Sequence, residues 1–119
     1  IMKFLLQPLV ENAVFHGIEP ALRKGTLFIG ARVQENRLLI TIQDDGIGIP
    51  PDQLAQLQTH LADISIINTY SQQHVGILNV AHRILLNYGK DYRLTLDSEP
   101  GEGTRILLTL PAEAAQNPA

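Results

Sequence analysis

Polar side chains interrupt an otherwise apolar stretch between Gln7 and Gly17, namely Glu11, Asn12 and His16. Asn12 and His16 are four residues apart, so on a helix both project from one side. An amide oxygen and an imidazole placed this way can hold a hydrated Mg²⁺ and a phosphate, because Mg²⁺ prefers oxygen ligands and keeps several waters. The same spacing also fits a solvent-facing polar strip, with His16 near the helix C-terminus, where positive charge is favoured.

A second stretch whose residue types could bind a ligand is Asp44-x-Gly46-x-Gly48, which follows a predicted strand. Two glycines two residues apart allow the backbone to approach a ligand closely, since glycine has no Cβ. A carboxylate at the end of a strand can accept a hydrogen bond from an exocyclic amine. The alternative is an ordinary turn, for which Asp-Asp-Gly is suitable chemistry.

Glycines mark two further candidate stretches. Gly76 opens a predicted helix, where free backbone N–H groups and the positive end of the helix dipole can face an anion. The run from Ser98 to Thr104 contains Gly101 and Gly103. Simple helix initiation explains the first stretch equally, and a hairpin loop with glycines at positive φ explains the second.

The elements that position these residues follow from hydrophobic periodicity. Apolar residues at a spacing of three and four predict helices over 2–16, 52–61 and 76–88. Alternating apolar residues predict strands over 27–33, 38–42, 92–96 and 106–110, with the first two joined by a polar hairpin turn over 34–37. This order indicates an α/β (α+β) two-layer sandwich, in which a mixed, mostly antiparallel sheet has helices on one face.

Local signals refine these boundaries. Pro8 is expected to bend or restart the first helix, so that its better-formed part runs from about 8 to 16, and Gly17 is well placed as the C-cap. Residues 97–103 are predicted to form a glycine-rich turn. Residues 62–75 have no clear period and are predicted to form a mobile loop.

Composition limits the function further. The chain has 119 residues, 45% of them hydrophobic, and a formal net charge of −3, which fits one domain with a buried core and argues against a nucleic-acid binder. The absence of cysteine excludes disulfides, thiolate metal sites and cysteine nucleophiles. No apolar run approaches the roughly 20 residues of a membrane span. Because the sequence begins at Ile1, without Met and already within a helical pattern, we expect a fragment of a longer protein.

Taken together and in this order, the four stretches resemble the ATP-binding catalytic domain of sensor histidine kinases, in the GHKL superfamily shared with gyrase, the MutL repair protein and the heat-shock-90 chaperones. Residues 6–17 look like the N-box of the LytS/YesM-type kinases. Residues 44–48 look like the G1 box, 76–84 like the G2 helix, and 98–111 like the closing Gly-x-Gly-Thr hairpin. The resemblance covers essentially residues 1–111.

The resemblance implies a nucleotide site. Asn12 would coordinate Mg²⁺, His16 would lie near the phosphates, and Asp44 would accept a hydrogen bond from the adenine amino group. Glu11, the residue nearest to a water- or hydroxyl-activating position, would be catalytic together with Asn12 and His16. Gly76 would offer backbone to the phosphates. The remaining residues would lie beside the base or line the pocket: Gly46, Ile47, Gly48, Ile49, Ile77, Leu78 and Thr104.

Three positions depart from the family pattern. His74 stands where the G2 box has its first glycine, and a side chain there would either hinder the phosphate loop or contact phosphate. Phe15 replaces the lysine that many relatives carry. Pro8 replaces an acidic residue of the ATPase branches, which argues against a self-contained ATP hydrolase.

The resemblance also implies a role for the whole protein. Residues 1–111 would be the catalytic domain of a two-component histidine kinase, with a lid at about 50–75 and a flexible tail at 112–119. The γ-phosphoryl group of Mg·ATP would pass to a histidine on an upstream dimerisation domain, and the partner of the kinase would be a response regulator. The parent would be a homodimer anchored in the bacterial inner or plasma membrane, with this domain in the cytoplasm. The alternatives are a degenerate kinase that senses nucleotide without catalysis and a plain α/β interaction domain.

Overall fold

Three α-helices, a π-helix and four strands form the part of the chain that the computed structural model describes, residues 2–21, 24–62 and 75–112. In chain order they are α1 (Met2–Asn12), the π-helix (Ala13–Ile18), β1 (Leu27–Gln34), β2 (Arg37–Asp44), α2 (Pro51–Ala62), α3 (Val75–Tyr88), β3 (Arg93–Glu99) and β4 (Gly103–Pro111).

The strands form one sheet in the order β1-β2-β4-β3, and each pairing is antiparallel. Two hairpins, β1–β2 and β3–β4, therefore lie side by side, with β2 and β4 at the centre. This topology places the last residue of β2, Asp44, opposite Thr104 at the start of β4, and Thr104 opposite Ser98 on β3. Three residues from three strands thus meet at one end of the sheet.

The hydrophobic core lies between one face of the sheet and the helices. Alternate residues of β2 and β4 are buried and pack with apolar residues from the helices, as the period of two predicts. Among the most enclosed side chains are Leu9, Ile42, Ile77, Ile84 and Leu108. Each such side chain contributes about 1.5–3 kcal/mol by its removal from water. The predicted two-layer sandwich with helices on one face is confirmed, but the sheet of the described residues is entirely antiparallel and not mixed.

Pro8 does not divide the first helix as predicted. The α-helix continues through Pro8 from Met2 to Asn12, and the helical chain then changes to a π-helix. Proline removes one backbone hydrogen bond and crowds the preceding turn. Packing of α1 against α3, where Pro8 lies beside Gly76, accompanies the continuous helix.

The two hairpin turns are tighter than their sequences suggest. Glu35 and Asn36 have φ of 54° and 62°, so the first turn has two central residues of left-handed conformation, as a type I′ hairpin requires. In the second hairpin β3 extends to Glu99, so the predicted turn over 97–103 was too long. Pairing of Ser98 with Thr104 continues the ladder into that stretch and leaves 100–102 as the turn.

The first part of the predicted lid is helical. Residues 51–62 form α2, which begins one residue earlier and ends one later than predicted and buries Leu57 in the core. Residues 63–74, including His74, and the tail after 112 lie outside the described residues, so the lid and the flexible tail stay predictions. None of the helices in the described part of the chain has the length and apolar character needed to cross a membrane.

Candidate functional site

A buried carboxylate stands at the end of the sheet. Asp44 is only 4% exposed, and its Oδ1 accepts a hydrogen bond from the backbone N–H of Gly46 at 2.9 Å. The strand register places Thr104, 6% exposed, directly opposite. The sheet thus brings together a carboxylate and a hydroxyl from two predicted site stretches that are 60 residues apart in sequence.

Burial raises the pKa of the Asp44 carboxyl above its ordinary value of 3.8. Backbone hydrogen bonds from Gly46 and Thr104 oppose this shift, and the neighbouring charge of Asp45 adds to it. A buried carboxylate with a perturbed pKa costs folding free energy, and such groups concentrate at functional sites. Asp44 is therefore the strongest functional candidate of the described residues.

The raised pKa makes a prediction about stability and pH. Because the folded protein binds the Asp44 proton more tightly than the unfolded chain, the resulting stabilisation is complete below pH 3.8 and is lost as pH rises through the raised pKa. The Tm of the natural protein minus that of Asp44→Asn should therefore fall as pH increases over this window. Thermal denaturation of both proteins at matched pH values measures the difference, and a difference that stays constant or grows with pH would contradict the prediction.

Glycines allow the backbone to close around Asp44. A Cβ on Gly17 would lie 2.5 Å from Asp44 Oδ1, and one on Gly46 would overlap the backbone of Gly17. Gly48 has a φ of 76° and fits against the carbonyl of Glu99. The glycines of the G1-like stretch therefore serve close packing of the N-box segment, the loop and the hairpin around one carboxylate.

Gly17 is not the helix C-cap that the sequence suggested. It lies inside the π-helix, whose C-cap is Glu19, and the N–H of Glu19 donates to the carbonyl of Val14 at 2.8 Å. The Gly17 carbonyl accepts a hydrogen bond from Ile47 N–H at 3.0 Å. The π-helix, a form often found at functional sites, thus joins the N-box segment to the G1-like loop.

Ser98 is a site residue that the sequence analysis did not single out. Its Oγ accepts a hydrogen bond from Ile49 N–H at 2.8 Å, donates to the carbonyl of Gly103 at 2.8 Å and lies 2.9 Å from Thr104 Oγ1. Ser98 therefore connects the G1-like loop with both strands of the closing hairpin. Predicting a three-residue turn at 100–102 from the sequence would have identified Ser98, because the register that follows places Ser98 opposite Thr104.

The N-box side chains differ in exposure. Asn12 is 8% exposed, whereas Glu11 and His16 lie at the surface. The π-helix begins after Asn12 and has a wider turn than an α-helix. The four-residue spacing from Asn12 to His16 therefore does not place the two side chains on one side as it would in an α-helix. Within the described ranges, no cluster of three or more His, Cys, Asp or Glu residues is placed to hold a metal ion.

The structure separates the predicted apolar pocket residues into two groups. Ile47 is 42% exposed next to the buried carboxylate, whereas Ile49, Ile77 and Leu78 belong to the hydrophobic core. Gly76 lies at the start of α3, beside Pro8. Of the four isoleucine and leucine candidates, Ile47 presents the most surface to a ligand.

A cavity of about 240 Å³ borders this end of the sheet, and its lining includes Asp44, Ser98 and Thr104. Small-molecule pockets usually measure roughly 300–1,000 Å³, so this cavity is smaller than a typical ligand pocket. Three further acidic residues, Asp97, Glu99 and Glu102, lie along it with Arg105. Gln43, Arg105 and Asp97 are cross-strand neighbours on the exposed face of the sheet, whereas the side chains of Asp44 and Thr104 alternate to the buried face. This cavity therefore lies largely on the face opposite the Asp44 side chain.

Comparison with known families agrees with this geometry. The family model described as histidine kinase-, DNA gyrase B- and HSP90-like ATPase matches residues 2–114. The chain therefore belongs to this ATPase family.

Curated relatives narrow the likeness to sensor kinases. The chain is 33% identical over 111 residues to the sensor histidine kinase YesM of Bacillus subtilis and 36% identical over 111 residues to the sensor histidine kinase YpdA of Escherichia coli. Each alignment covers 93% of this chain but only 17% and 18% of the respective relatives. The chain thus spans less than a fifth of the length of these two relatives.

The fold is also found in a solved kinase structure. The histidine kinase domain of the blue-light activated histidine kinase EL346 from Erythrobacter litoralis superposes with a TM-score of 0.63 at 20% identity, covering 96% of this chain and 44% of that one. At this identity the likeness shows the fold alone.

Proposed function

We propose that this chain binds Mg·ATP as the catalytic domain of a two-component sensor histidine kinase. The observation that carries the proposal is the buried Asp44 carboxylate, held by Gly46 N–H and enclosed by Gly17, at the point where the G1-like loop meets the N-box segment. Membership of the ATPase family and the likeness to sensor histidine kinases support it.

The base end of the nucleotide would lie at Asp44 and Thr104. The ionised carboxylate is an acceptor, which suits the exocyclic amine of adenine, since that amine offers two N–H donors. Gly46 and Gly48 keep the loop close to this edge. Ile47, exposed beside the loop, would cover a face of the base, whereas Ile49, Ile77 and Leu78 would support the site from the core.

The phosphate end would lie towards Asn12, His16 and Gly76. Asn12 contributes a nearly buried amide oxygen. This donor set fits Mg²⁺, which keeps waters and is held largely by substrate phosphates. Mg²⁺ held there would supply charge neutralisation, and Gly76 at the N-terminus of α3 would offer backbone N–H groups to phosphate oxygens.

Phosphoryl transfer in the whole protein would depend on positioning rather than on covalent chemistry by this domain. The acceptor would be a histidine of an upstream dimerisation domain, and the phosphoryl group would then pass to a response regulator. Glu11, exposed at the end of α1, would be the residue nearest to a position that activates water or a hydroxyl group. A homodimeric, membrane-anchored parent with this domain in the cytoplasm completes the proposal.

The isolated chain is expected to bind Mg·ATP without phosphorylating itself. Ligand at 100 times its Kd should stabilise the fold by about 2.7 kcal/mol, which raises the Tm by about 10 °C. Differential scanning fluorimetry with Mg²⁺ alone, ATP alone and both together measures the shift. An absent shift would favour the plain interaction domain.

Catalysis is tested by adding an acceptor domain from a sensor histidine kinase in trans, with radiolabelled ATP. Acid-labile label is expected on the acceptor domain and not on this chain. Label on the chain alone would overturn the proposed division of roles, and binding without any transfer would favour the nucleotide-sensing alternative.

A further inference from the structure

The hydroxyl group of Ser98 uses its full hydrogen-bonding capacity inside the protein. A serine hydroxyl has one proton to donate and two lone pairs to accept with. Ile49 N–H occupies one lone pair, and the carbonyl of Gly103 lies 2.8 Å away as an acceptor. A carbonyl has no proton to donate, so the hydrogen bond between Ser98 and Gly103 uses the Ser98 proton.

The direction of the remaining hydrogen bond follows from this inventory. Ser98 Oγ and Thr104 Oγ1 are 2.9 Å apart, and the Ser98 proton is already engaged. Thr104 must therefore donate its proton to Ser98. The oxygen of Thr104 is left with its lone pairs, so it acts towards the site as an acceptor only.

We propose that Ser98 is a positioning residue that sets the base selectivity of the site by holding Thr104 as a hydrogen-bond acceptor. The proposal rests on the proposed function, because it presumes a purine nucleotide with its base at Asp44. With Thr104 fixed in this way, Asp44 and Thr104 both present acceptors, at strand positions directly opposite each other. Such a pair fits the amino group of a 6-aminopurine and opposes the oxygen of a 6-oxopurine.

Loss of Ser98 would release this constraint. Without its partner, the Thr104 hydroxyl can rotate about χ1 or about its C–O bond and donate to a ligand oxygen. The Asp44 carboxylate would still favour the amine, so selectivity would decrease rather than disappear. Selectivity is therefore the property that separates a positioning role of Ser98 from a merely structural one.

The test compares ATP with ITP, in which oxygen replaces the 6-amino group and N1 carries a proton. The ratio of the ITP Kd to the ATP Kd is measured by isothermal titration calorimetry for the natural chain and for Ser98→Ala. We expect the ratio to fall about fivefold in Ser98→Ala. This is the size of effect expected when one buried hydrogen bond no longer favours ATP over ITP. A purely structural role would weaken both nucleotides equally and leave the ratio unchanged.

Control variants identify the route of the effect. Ser98→Thr keeps the hydroxyl and should retain the natural ratio, as should Thr95→Ala, which removes an exposed hydroxyl from the same strand. In a Thr104→Val background, adding Ser98→Ala should change the ratio no further, because Ser98 acts through the Thr104 hydroxyl. If Ser98→Ala fails to fold, Ser98→Cys replaces it, since a thiol of similar size is a weak acceptor.

The outcomes separate the two proposals. If the natural chain binds neither nucleotide, the proposed function fails. If it binds ATP with clear preference over ITP, but Ser98→Ala or Ser98→Cys keeps that preference, the role of Ser98 is overturned while the proposed function stands. The role of Ser98 would also be overturned if Ser98→Ala lowered the ratio equally in the natural background and in the Thr104→Val background.

Discussion

Asp44→Asn is expected to raise the Kd for Mg·ATP about 100-fold. Replacing the carboxylate removes a charge-assisted hydrogen bond to the proposed amine, worth about 1.5–3 kcal/mol. The Asn side chain also places a donor NH₂ group at an edge of the site that otherwise presents acceptors. Isothermal titration calorimetry on the natural and substituted chains measures the change.

The same variant should stay folded, which separates binding from stability. Burial raises the pKa of Asp44, so its ionised form destabilises the folded protein at neutral pH, and a neutral amide relieves this cost. The Asn side chain keeps an oxygen that can accept from Gly46 N–H. Asp91→Asn removes an exposed carboxylate from a turn and serves as the matched control, with unchanged binding. A Kd for Asp44→Asn within about threefold of the natural value would refute the role of Asp44, because one lost charged hydrogen bond exceeds that factor.

The second large effect is expected for Gly103→Ala, which should lower the free energy of unfolding by about 3 kcal/mol or more. Gly103 has a φ of 121°, a conformation that L side chains rarely adopt, and a methyl group there would overlap the backbone carbonyl of Asp44. Neither backbone can move without breaking the β2–β4 ladder at Asp44 and Thr104. Since domains of this size are stable by only about 5–15 kcal/mol, the Tm should fall sharply.

Gly101→Ala provides the matched control in the same hairpin. Gly101 also has a positive φ, of 81°, but nothing lies within 4 Å of the position where its Cβ would stand. It should therefore show only the conformational cost, about 1–2 kcal/mol. Chemical denaturation of both variants measures the free energies, and equal losses would show that strain rather than the close approach to Asp44 governs this turn.

The strands and helices with a clear hydrophobic period could be predicted from the sequence. The strand alternation in β2 and β4 and the spacing of apolar residues in α3 reflect burial of one face, which is a local property of the sequence. The predicted helix 52–61 is one residue shorter than α2 at each end, and the predicted helix 76–88 begins one residue after α3 does. Asp44 and Thr104 were likewise named from their motifs, and the strand register brings them together as opposite neighbours.

The sequence alone determined the family resemblance, the two hairpins, the helical layer and the residue types that can hold a nucleotide, because each depends on neighbours along the chain. Tertiary structure decided the π-helix that places Gly17 against Asp44 and the continuity of α1 through Pro8. It also decided the role of Ser98, whose partners Ile49 and Thr104 come from a distant loop and a neighbouring strand. The contacts of Gly17 with Asp44 and of Ser98 with Ile49 join segments far apart in sequence, so a local pattern of residues does not predict them. The contact of Ser98 with Thr104 is short in sequence but depends on the exact register of the hairpin.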